Sequence, residues 1–246
     1  MGWGQWLLDL IYPRPLRCQG CGRVPDFEEI GGICQQCLSQ IDFNQRPGAI
    51  ICWNCGRRLV TNCQGKQLSR VCSDCRQQET FYDRARAVAI YRGKIRQLIL
   101  QFKYQGQQQL GQPFGEMLTI YFQEYFQGLG VDLLLPIPLY PERRRERGYN
   151  QAELLARELA TRTGVKLEEG LLVRESATPP LYALPQRERK QVIQGVFEAT
   201  TGFKNSCVLL VDDIFTTGTT VNEASRVLKE KGADHVYVLT LATAHL

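Results

Sequence analysis

The chain has 246 residues, with 30 Lys and Arg against 25 Asp and Glu and a net charge of +5. That length accommodates one full α/β domain and a smaller module, and a 43% hydrophobic content is enough to give the domain a core. No run approaches the ~18 apolar residues of a membrane-spanning helix. No basic stretch precedes an apolar core near the N-terminus, so a secretion signal is not expected and a cytoplasmic location is. The overall charge says little about partners, but the basic residues are clustered. Between Arg84 and Lys103 lie Arg84, Arg86, Arg92, Lys94, Arg96 and Lys103 with no acidic residue among them. Arg143, Arg144, Arg145 and Arg147 form a second cluster, and Arg187, Arg189 and Lys190 a third. Such groups are either a solvated face or the surroundings of a polyphosphate or nucleic acid.

In chain order, Trp3, Trp6, Leu7, Leu10 and Ile11 fall at helical spacing and predict a short amphipathic helix packed on its own domain. A cysteine module follows. Nine of the ten cysteines lie between Cys18 and Cys75, and eight form CxxC pairs: Cys18/Cys21, Cys34/Cys37, Cys52/Cys55 and Cys72/Cys75. Two residues between thiolates let one knuckle offer both sulfurs to a single tetrahedral ion, so two knuckles complete a four-sulfur zinc site. Gaps of 12 and 16 residues separate the knuckles if neighbours pair, and 41–51 then joins two tandem ribbons. Cross-bracing is the alternative pairing. No histidine lies near the knuckles, so both zinc ions are expected to be structural. CxxC spacing without a secretion signal argues against disulfides, and Cys63 is left as a spare thiol. A module with so little core of its own depends on metal to fold.

From about Phe81 the pattern alternates strand and helix, giving a division into 1–80 and 81–246. Residues 85–91 predict a strand, 95–103 a helix, 105–112 a Gln-rich loop and 114–126 a helix. A continuous apolar strand is expected over 133–137, then a basic loop, then an amphipathic helix over 151–162. The remaining elements are a strand at 208–211, a helix at 221–231 stopped by Gly232, and a strand at 236–241. Continuous apolar strands alternating with helices imply a mainly parallel sheet covered on both faces, with ligands beyond the strands' C-terminal ends. No separate element for recognising a second substrate stands out.

The chemistry concentrates in VLLVDDIFTTGTT, residues 208–220. An apolar strand runs into Asp212 and Asp213, then into Thr216, Thr217, Gly218, Thr219 and Thr220, and then into a helix. Unpaired amides at a helix start, its dipole and threonine hydroxyls suit a phosphate. The loop has no lysine, which excludes the G-x-x-x-x-G-K-[ST] nucleotide loop. Carboxylates repel phosphate but accept hydrogen bonds from sugar hydroxyls, so a sugar phosphate is the expected ligand. The second basic cluster follows strand 133–137 and opens on the same sheet edge. Arginine forks there suit phosphate oxygens, and Gly148 permits close backbone approach.

This segment resembles the phosphoribosyl-pyrophosphate (PRPP) signature of type I phosphoribosyltransferases. Together with the cysteine module, AIYRGKIRQLILQFKYQG, LPIPL and R-x-RGYNQ, it identifies the chain as similar to the ComF family along nearly its whole length. The resemblance implies a phosphoribosyltransferase-like sheet behind a double zinc ribbon, and PRPP binding with Mg²⁺. Asp212 and Asp213 would hold the ribose hydroxyls, and Thr216 to Thr220 the 5′-phosphate. Arg147, Gly148, Tyr149, Asn150 and Gln151 would serve the pyrophosphate, with Lys103 and Tyr104 in a basic flap. Transfer of phosphoribosyl to a nitrogen acceptor is one implied function. A non-catalytic PRPP sensor, or a factor contacting single-stranded DNA or DNA-uptake proteins in natural transformation, is the other. One stretch departs from the family pattern: Leu181 and Val192 stand where Gln and Asn are usual, while Gly195 and Phe197 are kept.

Overall fold

The computed structural model describes residues 17–24, 30–45, 49–59, 70–178 and 186–244. The expected helix at 3–11, Cys63 and Leu181 lie outside these residues, as do the side chains of Arg187, Arg189 and Lys190. Strands β1 (Arg84–Ile90), β2 (Leu133–Pro136), β3 (Lys166–Leu167), β6 (Cys207–Phe215) and β7 (His235–Thr243) form one sheet in the order β1-β7-β6-β2-β3. All four pairings are parallel. A separate antiparallel pair joins β4 (Leu172–Arg174) to β5 (Phe197–Ala199). Among the described residues, no helix is long and apolar enough to cross a membrane.

Helices α1 (Gln35–Ser39) and α2 (Ser73–Gln77) belong to the cysteine knuckles. The others are α3 (Gly93–Tyr104), α4 (Gly111–Tyr125), α5 (Pro141–Arg147), α6 (Gln151–Thr163), α7 (Gln186–Ile193) and α8 (Thr219–Glu230). Successive side chains on a strand point to opposite faces, and β6 shows what each face meets. Leu209 and Val211 join a core with Leu98 and Phe102 of α3, Phe114 and Leu118 of α4, and Leu155 of α6. Val208 and Leu210 join a second core with Ala224 and Leu228 of α8, Leu172 of β4 and Phe197 of β5. Both faces are thus buried, which is why the strand carries no alternating polar residue.

The ribbons are built into this sheet. Cys18, Ile33 and Cys37 enter the first core, while Cys52, Cys55 and Cys72 enter the second. Between the ribbons the chain runs along the outer edge of β1. Asn44 donates to the Val88 carbonyl at 2.8 Å, and Ile90 donates to that of Asp42 at 2.8 Å. The open edge of the sheet is thereby covered. Asp42, only 8% exposed, is neutralised there by Arg58 and Arg92.

Several boundaries differ from the sequence expectation. β6 extends through both aspartates to Phe215, because its pairing with β7 continues through Asp212, Ile214 and Phe215. Thr219 and Thr220 are the first residues of α8 and not loop. The supposed basic loop after β2 is helix α5, entered through Pro141 at its N-terminus. The Gln-rich stretch holds a short 3₁₀ turn, Gln108–Leu110, and Gly111 already begins α4.

Candidate functional site

The parallel sheet brings the ends of β1, β2, β6 and β7 to one edge, and Asp212 and Asp213 lie there on the central strand. Asp213 is 8% exposed and pairs with Lys103, Nζ to Oδ1 2.8 Å. Burial pulls the lysine's pKa down, but the Asp213 carboxylate outweighs it and holds the ammonium above its ordinary value. Asp212 receives the Asp213 backbone N–H at 2.8 Å. Burial, reinforced by the neighbouring Asp213 charge, pushes Asp212 up to about 7.

Lys103 is placed by the R-x-RGYNQ segment. The Tyr149 hydroxyl donates to the Phe102 carbonyl, and Gln151 Nε2 donates to the same oxygen at 3.5 Å. Asn150 caps α6 by accepting from the Ala152 N–H at 3.0 Å, and its Nδ2 donates to the Ile137 carbonyl at 3.0 Å. Tyr149, Asn150 and Gln151 are therefore buried fasteners between α3, the end of β2 and α6. The side chain of this segment left to face a ligand is Arg147. Its guanidinium sits 5.1 Å from the Tyr104 ring centroid and donates to Gln151 Oε1 at 3.0 Å. Gly148 takes φ 79 to end α5, the left-handed conformation that glycine adopts without strain. The cluster expected as a unit divides: Arg144 and Arg145 pair with Glu153 and Glu142 on the surface. Arg143 and Arg147 have no such partner among the described residues and are only half-exposed.

Beyond Asp213 the side chains exchange faces, with Ile214 packing on the first core and Phe215 on the second. Phe215 meets Tyr82 edge-on at 6.1 Å between centroids. A Cβ at Gly218 would come within 2.6 Å of the Phe215 ring, and φ there is +75. Glycine is thus required twice over, by backbone conformation and by the ring beneath it. Gly218 precedes α8 without any side-chain cap, and the first capping bond is Asn222 N–H to the Gly218 carbonyl at 2.8 Å. The amides of the first helical turn therefore remain available to an anion. Thr217 and Thr219 lie beside them with hydroxyl oxygens 2.7 Å apart.

The cysteines fall into two tetrads, Cys18/Cys21/Cys34/Cys37 and Cys52/Cys55/Cys72/Cys75. Neighbouring knuckles pair, and the cross-braced alternative is excluded. Sulfurs of Cys18 and Cys37 are 3.8 Å apart and those of Cys55 and Cys72 3.7 Å. Four sulfurs each ~2.3 Å from one zinc ion stand about 3.8 Å from one another, so both tetrads fit structural zinc. Backbone amides of Gly20 and Cys34 point at Cys18 Sγ, at 3.3 and 3.2 Å, as a thiolate requires.

With this geometry in hand, comparison with known proteins gives a consistent result. The phosphoribosyl transferase domain family matches residues 147–245, and the double zinc ribbon family matches 7–76. Competence protein F of Haemophilus influenzae is 28% identical over 87% of this chain and 91% of its own length. Competence protein ComFC of Bacillus subtilis is 28% identical over 81% of this chain and 90% of its own. Over most of its length the chain is similar to these competence proteins. DNA utilization protein YhgH of Escherichia coli K12 is 25% identical over 86% of this chain and 97% of its own.

Three participants in this site have no role in the sequence expectation. Phe215 and Tyr82 link the loop to the second tetrad, whose Cys52, Cys55 and Cys72 share their core. Arg174, at the end of β4, lies near Asp212, and its local signal is a lone arginine in a three-residue strand. Metal content tests the ribbons. Elemental analysis of the purified chain should give two zinc ions, and Cys75→Ser should give one together with a lower thermal midpoint. Two ions retained in that variant would contradict the tetrads.

Proposed function

We propose that this chain binds PRPP at the end of β6. The observation that carries the reading is the sequence of groups along one backbone: two carboxylates, a glycine turn, then an uncapped helix start. Asp212 and Asp213 would accept hydrogen bonds from the ribose hydroxyls. The first-turn amides of α8, with Thr217 and Thr219, would take the 5′-phosphate. Lys103 and Arg147 would face the diphosphate. Mg²⁺ would arrive with the diphosphate and ribose hydroxyls, beside Asp212 and Asp213, and would neutralise charge on the leaving group.

The chemistry this supports is phosphoribosyl transfer. A nitrogen lone pair forms a bond to the anomeric carbon as the carbon–oxygen bond to diphosphate breaks. The electron pair leaves with diphosphate, and the acceptor's N–H proton goes to water. Positive charge develops on the ribose, where the carboxylates stabilise it, and the fixed phosphate holds the reacting carbon in place.

Calorimetric titration of Mg·PRPP into the zinc-loaded protein should show binding that Asp213→Asn weakens at least tenfold. Absence of binding to the folded wild-type chain would refute the reading. The raised pKa of Asp212 gives the pH dependence its sign. Neutral Asp212 stabilises the free fold; this contribution is complete below the ordinary carboxylate value of 3.8 and is lost as pH climbs through about 7. Ribose hydroxyls prefer the ionised acceptor, so PRPP affinity should rise between pH 6 and 8. Asp212→Asn should flatten that rise.

A second observation favours contact with single-stranded DNA, in keeping with the competence and DNA-utilization names of the relatives. Trp53, on the second ribbon, is 50% exposed, and the Arg84 guanidinium lies 4.3 Å from its ring centroid. An exposed indole backed by a cation is a platform on which a base can stack. Fluorescence anisotropy with labelled oligo-dT should report salt-dependent binding that Trp53→Ala weakens about tenfold. Equal affinity in the variant would remove Trp53 from any such surface.

A further inference from the structure

The acid pair has cations on both of its sides. Residues of β6 address the two faces alternately, and Asp213 faces α3, where Lys103 meets it. Asp212 is turned toward the other face, whose core contains Leu172 of β4 and Phe197 of β5. In that antiparallel pair Arg174 stands directly opposite Phe197, and its guanidinium lies 5.6 Å from the ring centroid. Arg174 Nη2 donates to Thr178 Oγ1, while Arg143 Nη2, from α5, donates to the Thr178 carbonyl at 3.3 Å. Two guanidinium groups from different elements therefore converge on one residue.

These cations lack what would ordinarily justify their placement. Neither has a carboxylate ion-pair partner among the described residues, and the buried Arg174 Nε–H finds no acceptor there. Burial, with the Arg143 charge added, holds the Arg174 pKa below its ordinary value, while the Asp212 charge acts in the opposite direction. Holding a second positive charge beside the largely buried Arg174 guanidinium is costly unless an anion is supplied from outside. The diphosphate is already provided for on the opposite side, where Lys103 and Arg147 feel one another's charge.

We propose that Arg143 and Arg174 form a subsite for an anionic acceptor, a small nitrogen compound bearing a carboxylate, held over the Asp212 side of the ribose. This assignment rests on the PRPP reading and adds a substrate class to it. A planar carboxylate matches the forks of two guanidiniums, each able to offer paired N–H donors. The Phe197 ring forms the floor on which Arg174 is stacked, so the fork is held in one orientation. The ordering is physically useful. With the acid fixed at this point, the acceptor's nitrogen is directed toward the anomeric carbon, away from the departing diphosphate.

Matched acid and neutral probes test the proposal: orotate against uracil, nicotinate against nicotinamide, and anthranilate against aniline. Equilibrium dialysis would be run on zinc-loaded full-length protein with and without saturating Mg·PRPP. At least one acid should bind ten times more tightly than its neutral counterpart. Arg174→Gln and Arg143→Gln should each erase that preference, and Arg174→Lys should restore part of it. Mg·PRPP affinity should stay within twofold in Arg143→Gln, and an unchanged thermal midpoint should report that all three variants fold. No preference for any acid, or a preference that survives both Gln variants, would overturn the proposal. A loss of Mg·PRPP affinity in Arg143→Gln would overturn it too, by giving the pair to the diphosphate. If the wild-type protein binds no PRPP, the parent reading fails by itself, and the acid preference is still measured on the unloaded protein.

Discussion

Two carboxylates in succession at the end of a buried strand repel each other, and the arrangement of this molecule follows from that repulsion. The strand geometry separates them, one toward each face of the sheet. Asp213 is matched by Lys103 at 2.8 Å, while Asp212 is left with its pKa pushed up to about 7. Such a pair is unfavourable in an unliganded fold and becomes useful when hydrogen-bond donors with developing positive charge arrive. Everything that holds Lys103 in place serves the same purpose. The Phe102 carbonyl, immediately before it in the chain, is held by Tyr149 and Gln151, so α3, β2 and α6 are locked at the residue that matters.

The zinc ribbons contribute in a less expected way. They seal the edge of β1, and the second of them supports the loop beyond the acid pair. Its cysteines share a core with Tyr82 and Phe215, and the Phe215 ring lies directly under Gly218. Metal binding and loop shape are thus mechanically connected through a pair of rings. The second ribbon becomes, by this contact, part of the floor of the candidate phosphate site.

Much of this was legible in the sequence because the information was local. The apolar strand, the acid pair and the glycine turn occupy 208–220, and the four knuckles are written in CxxC spacing. What was lost depends on tertiary context. α5 was hidden because PERRRER has no apolar period to betray a helix. β4 and β5 have three residues each, too few for a pattern, so the place of Arg174 opposite Phe197 is not visible in the sequence. Tyr149, Asn150 and Gln151 look like ligand contacts in a string but are buried fasteners in the fold. Which knuckles share an ion was decided only by the way each ribbon packs on its own face of the sheet.

A crystal structure of the zinc-loaded protein with Mg·PRPP tests the central claim most directly. The account requires the ribose hydroxyls at Asp212 and Asp213, and the 5′-phosphate against the amides at the start of α8 beside Thr217 and Thr219. A ligand whose phosphate lies elsewhere, or whose ribose hydroxyls avoid both carboxylates, would contradict it.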